Sequence, residues 1–169
     1  RFEDRDAGGF HFTSHDHEIL IARPKHAHDN ALPSGNGVAA RALAHLAAIT
    51  GEMRYADAAR RVLECFWPEL SVAPAGSTAL LQALREFCVP PQMVVLRGPA
   101  AQLPDWQKYV NCRFPALLLF AVPNGEDEVP AGLAKSEAPA VNAWVCSGVN
   151  CLQPVAQVES LAALLGGQM

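Results

Sequence analysis

Three stretches in the first half of the chain repeat apolar residues at three- and four-residue intervals, the period of a helix with one buried face. Over 37–50, Val38, Ala42, Leu46 and Ile49 fall on one stripe, with Leu43 and Ala47 beside it and Gly51 as the stop. That stripe predicts a wide buried face. Over 54–67, Tyr55, Ala59, Val62, Leu63 and Phe66 point inward, and Pro68 is expected to end the helix. The short connection makes these two an antiparallel αα-hairpin. Over 78–88, Leu80, Leu81, Leu84 and Phe87 share a face, Ser77 is the candidate N-cap, and Pro90-Pro91 breaks the pattern.

The texture then changes. Met93 to Leu96 is a continuous apolar run suited to a buried strand, 105–112 is helical, and 116–122 is a second apolar run. The order β-α-β predicts parallel pairing with a right-handed crossover. A polar loop over 123–139 leads to a third short strand at 142–146 and a closing helix at 158–165. Ahead of the first helix, Phe10–Thr13 and Ile19–Ala22 flank the polar turn 14–17, which reads as a β-hairpin or a pair of extended arms. The loop 23–36 holds Pro24, Pro33 and Gly35 and ends in two candidate helix caps, Ser34 and Asn36. The expected fold is therefore mainly α with a small α/β part. Residues 1–90 form helical hairpins after an amino-terminal hairpin or loop, and residues 91–169 form a three-stranded, largely parallel α/β unit.

Composition agrees with helices over a β-sandwich: half of the 169 residues are apolar, yet only 7% are aromatic. A formal net charge of -4 with no block of like charges gives no footprint for nucleic acid and no polybasic membrane patch. The longest apolar runs, such as Pro115 to Pro123, fall far short of the roughly 20 residues that cross a bilayer as a helix. Five scattered cysteines, an odd number, resemble reduced thiols more than a disulfide framework, so the cytoplasm is the expected compartment. Arg1-Phe2-Glu3-Asp4 leads almost directly into Gly8-Gly9-Phe10, a start that reads as the interior of a domain.

Several punctuated motifs follow one another in order: Gly8-Gly9-Phe10-His11-Phe12-Thr13, Asp16-His17-Glu18, Arg23-Pro24-Lys25, Asp29 and Pro33-Ser34-Gly35-Asn36. Near the end comes Trp144-Val145-Cys146-Ser147-Gly148-Val149-Asn150-Cys151-Leu152-Gln153-Pro154. Together they resemble the carboxy-terminal quarter of the large thioredoxin-domain-containing proteins of the spermatogenesis-associated protein 20 type, over nearly the whole chain. The resemblance implies a thioredoxin-like domain upstream, then a six-hairpin (α/α) toroid similar to those of N-acylglucosamine 2-epimerases and some glycosidases, then a small α/β segment. Residues up to about 90 would be the last hairpins of that toroid. The missing amino-terminal part of the same protein is then an expected partner, and self-association through uncovered apolar surface is expected of the chain alone.

Chemistry concentrates in the loop 23–36, because toroids bind substrates where loops join helices. Asp29, Asp16 and Glu18 are candidate acid and base groups for work on a sugar, and Arg23, Lys25, Ser34 and Asn36 are candidate substrate contacts. The alternative is that Arg23, Asp29, Ser34 and Asn36 make ion pairs, caps and turn hydrogen bonds that fix the loop. His11, His15, His17, His26 and His28 cluster here, with i, i+2 spacings that place pairs on common faces; a chance cluster in a polar loop outweighs a metal site. Cys146 and Cys151 are separated by four residues, enough for two thiols to meet but not the redox-active Cys-x-x-Cys spacing. They read either as a thiol-redox pair, resembling the family's terminal cysteines, or as two small buried residues. Cys65, Cys88 and Cys112 fall within helical patterns as expected core residues. Gly8-Gly9 and Arg97-Gly98-Pro99 lack the glycines of a phosphate or dinucleotide loop, and no Gly-x-Ser-x-Gly elbow is present, so no cofactor is expected. Two readings stand: a carbohydrate-binding or carbohydrate-processing toroid of isomerase, epimerase or glycosidase type, or a non-catalytic scaffold or thiol-linked module working with a thioredoxin-like domain.

Overall fold

The computed structural model describes residues 1–18, 21–115, 117–148 and 150–166. The chain divides into two compact units, one of residues 1–48 with 52–90 and the other of residues 49–51 with 91–169. Of the described residues, 43% are helical and 15% lie in strands, so the chain is mixed α/β rather than mainly α.

The first unit carries helices α1 (Gly35–Thr50), α2 (Met53–Val72) and α3 (Thr78–Cys88), with a single 3-10 turn (Pro74–Gly76) between the last two. Its core joins Val62, Leu63, Phe66 and Leu70 of α2 to Leu80 and Ala83 of α3, together with Ala27 and Ala40. Full burial of a Leu or Phe side chain is worth about 1.5–3 kcal/mol, which makes the α2 face the main support of this unit. Pro68 does not end α2; the helix runs through it to Val72. The proline costs one backbone hydrogen bond, but stopping there would expose Leu70, which is buried in the core. The wide face expected of α1 is not buried. Only Asn36, Gly37 and Ala40 are, while Val38 is 53% and Leu46 is 40% exposed. The reason is a close backbone approach: a Cβ on Gly37 would lie 2.7 Å from the backbone of Ala79, so the two helix starts touch at small residues.

The amino-terminal segment is irregular. Phe10 forms an isolated antiparallel bridge with Glu3, not a hairpin with the later stretch, and Phe12 N–H donates to the Pro24 carbonyl at 2.9 Å. The expected second arm falls partly on Ile19 and Leu20, outside the described residues.

The second unit contains β1 (Gln92–Gly98), α4 (Leu103–Arg113), β2 (Leu118–Pro123), β3 (Asn142–Ser147), β4 (Asn150–Cys151) and α5 (Val158–Gly166). The sheet order is β2-β1-β3-β4. β1 and β2 pair in parallel, as the β-α-β pattern predicts, but β1–β3 and β3–β4 are antiparallel, so the sheet is mixed and four-stranded rather than three-stranded and largely parallel. The cause lies in the link 124–141, which contains no helix to carry the chain back along the sheet. The chain leaves β2 at Pro123, opposite Gly98, and β3 begins at Asn142, opposite Arg97, at that same end of β1. Alternation along β1 divides the core in two: Val94 and Leu96 pack with Val110, Leu161 and Leu165, whereas Met93 and Val95 pack with Val122, Leu133 and Cys146. The buried Arg97 pins the link, donating to the Glu126 carbonyl at 3.0 Å and to the Glu137 carboxylate at 2.9 Å. Among the described residues, no helix is long and apolar enough to cross a membrane.

Candidate functional site

A cleft of about 640 Å³ opens in the first unit between the amino-terminal turns and the loop before α1. Phe2, Phe10 and Phe12 supply its aromatic surface, His26, His28 and Asn30 its exposed polar surface, and the stretch from Ala31 to Asn36 closes one side. Phe12 is 74% exposed and meets the His26 ring edge to face, with centroids 5.8 Å apart. A solvent-facing aromatic ring beside imidazoles differs in kind from the core aromatic Phe66, and nothing in the apolar periodicity distinguishes the two.

Asn36 and Ser34 build the cleft floor. The Asn36 amide accepts from Phe10 N–H at 2.7 Å and donates to the Phe10 and His26 carbonyls at 3.0 and 3.2 Å, tying the amino-terminal turn to α1. Ser34 Oγ donates to the His26 carbonyl at 3.0 Å and accepts from Gly37 N–H at 3.4 Å, so Ser34 is the cap of α1 and Asn36 a buried clamp within it. Both polar side chains are therefore spent on shape.

Asp29 sits beside this floor as a cap for a different helix. Its carboxylate accepts from Ser34 N–H at 2.8 Å, from Ala79 N–H at 3.0 Å and from the Thr78 hydroxyl. The Thr78 and Ser34 donors hold its pKa below the ordinary carboxylate value. Asp29, and not Ser77, caps α3; the Ser77 hydroxyl lies 3.2 Å from His28 Nδ1 instead. An ionised carboxylate with three donors at a helix start is a structural anion.

The other sequence candidates are dispersed. Lys25 donates to the Asp4 carboxylate at 3.0 Å and the Gly8 carbonyl at 2.8 Å, and Arg23 donates to the Thr13 carbonyl at 2.8 Å. Asp4, which sequence reasoning passed over, is held down at about 2 by the Ala7 N–H and the Lys25 ammonium. Asp16 pairs with Arg1 at 3.1 Å on the surface, its pKa lowered chiefly by Ser14, and Glu18 is exposed. Of the seven loop and turn residues expected to serve a sugar or to cap the helix, Ser34 and Asn36 reach the cleft wall, and Asp29 contacts Ser34. No Asp or Glu lines the cleft among the described residues. His11 Nδ1 donates to the Arg23 carbonyl at 2.8 Å, and His15 Nδ1 lies 3.1 Å from the Arg1 carbonyl. Among the described residues no group of three His, Cys, Asp or Glu is placed to hold a metal ion.

In the second unit Cys146 and Cys151 face each other across the β3–β4 pair and form a disulfide, which corrects the expectation of reduced thiols for these two. Cys88 and Cys112 are free and exposed, not core residues, and Cys65 is half-buried. Glu86 gathers Arg41 and His45 at 2.8 and 2.7 Å, a cluster linking α1 and α3. Burial raises the Glu86 pKa, but the Arg41 and His45 hydrogen bonds outweigh it and the net shift is downward. The chain matches no family model and no curated protein.

Proposed function

We propose that the first unit is a carbohydrate-binding wall of an (α/α) toroid protein, with the Phe2/Phe12/His26 cleft as the surface that meets the sugar. The observation that carries this reading is the lining itself. A sugar ring presents apolar C–H faces and a rim of hydroxyls, and the cleft offers exposed phenyl rings beside His26, His28 and Asn30 in a volume of about 640 Å³, within the range of small-molecule sites. Because no carboxylate lines the cleft among the described residues, binding or imidazole-assisted proton transfer fits better than two-carboxylate glycoside hydrolysis. Asp29 then supports the loop without touching the ligand. The toroid itself rests on the sequence resemblance and on the exposed apolar positions of α1, which further hairpins would cover.

The test is a ligand titration of the chain with mono- and disaccharides, followed by amide chemical shifts or thermal stability. Binding is expected to perturb residues 10–12 and 26–36 and to disappear in Phe12→Ala, which removes an exposed ring and leaves the core intact. Perturbation elsewhere, or survival in the variant, contradicts the proposal.

A further inference from the structure

The second unit carries a group that the sugar cleft does not use. Cys146 on β3 is 1% exposed, packed with Met93, Val95, Val122 and Leu133, whereas its disulfide partner Cys151 on β4 is exposed. The Lys135 ammonium, from the link 124–141, lies 3.3 Å from Cys151 Sγ. Lys135 is half-buried, and that burial lowers its pKa. One cysteine is therefore exposed with its sulfur beside a cation, and the other is enclosed.

We infer that Cys146 and Cys151 form a thiol–disulfide exchange site for dithiol and disulfide partners, in which Cys151 forms the mixed disulfide and Cys146 resolves it. This stands independently of the sugar cleft, on residues of the second unit alone. Starting from the disulfide, a partner dithiol attacks Cys151 Sγ as its thiolate, the Cys146–Cys151 bond breaks, and Cys146 leaves as a thiolate that takes up a proton. The partner's second thiol loses its proton and attacks the partner sulfur of the mixed disulfide, releasing the Cys151 thiolate beside Lys135. The partner is oxidised to a disulfide by two electrons and the Cys146/Cys151 pair is reduced by the same two. In reverse, the Cys151 thiolate attacks a partner disulfide and Cys146 completes the exchange. A neighbouring ammonium favours the thiolate form, and burial in apolar surroundings disfavours it, so the two sulfurs divide the roles of nucleophile and resolving thiol.

The experiment uses the whole chain, reduced with dithiothreitol and then exposed to glutathione disulfide, with peptide mapping to separate the pair from Cys65, Cys88 and Cys112. Cys146→Ser is expected to accumulate a glutathione adduct on Cys151, and Cys151→Ser is expected to leave Cys146 unmodified while the chain stays folded. Lys135→Met is expected to slow adduct formation on Cys151 by about threefold for each tenfold loss of thiolate, because weaker acids are the better nucleophiles. The inference is overturned by an adduct on Cys146 at the rate of Cys151, by no effect of Lys135→Met, or by a disulfide that dithiothreitol opens only when the chain unfolds.

Discussion

Asp29 looks like a catalytic acid in the sequence, flanked by basic and hydroxyl residues in a proline-punctuated loop, yet its three donors come from Ser34, Thr78 and Ala79. The last two lie 49 and 50 positions away, which no local pattern encodes. Ser34 and Asn36 were legible as cap candidates because a hydroxyl or amide before a helical period is a local signal; that Asn36 turns back to Phe10 was not. Asp29→Ala is expected to cost about 1–2 kcal/mol, as loss of a good N-cap does, and to leave sugar binding per folded molecule unchanged. The pH dependence has a definite sign. The folded pKa is depressed below the usual 3.8, so the contribution is complete above that value and is lost as pH falls through the folded one. Denaturation curves of the two proteins should draw together in acid; a gap that persists at the lowest pH where the chain folds contradicts the capping role.

At the scale of elements, α1 and α3 meet where Gly37 passes the backbone of Ala79 with no room for a Cβ. Gly37→Ala gains helix propensity but forces the helix starts apart, and a net loss of about 1–3 kcal/mol is expected from overpacking, read by chemical denaturation. An unchanged or raised midpoint would show that the contact yields easily. The helices and the β1-α4-β2 unit were legible because their apolar periods are long and the switch at Pro90-Pro91 is sharp. The sense of β3 was hidden because it depends on whether the link crosses the sheet, and this link is held by Arg97 and Glu137, 40 positions apart. β4, of two residues, is too short to carry a period. Pro68 misled because a local stop signal was outweighed by the burial of Leu70, a tertiary gain.

For the molecule as a whole, the toroid reading turns exposed apolar residues into a prediction. Val38 on α1, and Trp67 and Val72 on α2, are exposed in this chain. Surfaces that further hairpins would cover are expected to drive concentration-dependent self-association in sedimentation experiments, and a stable monomer at high concentration would count against the toroid. The cleft itself was only half legible: the loop 23–36 was expected to matter, but the exposed rings of Phe2 and Phe12 come from a segment whose turns obey no period. The most direct measurement is therefore the titration of the chain with simple sugars, resolved by residue and repeated with Phe12→Ala. Saturable shifts confined to the cleft around Phe12, His26 and Asn30, and lost in the variant, are expected. Saturable binding that the variant retains, or no binding by any sugar, would contradict it.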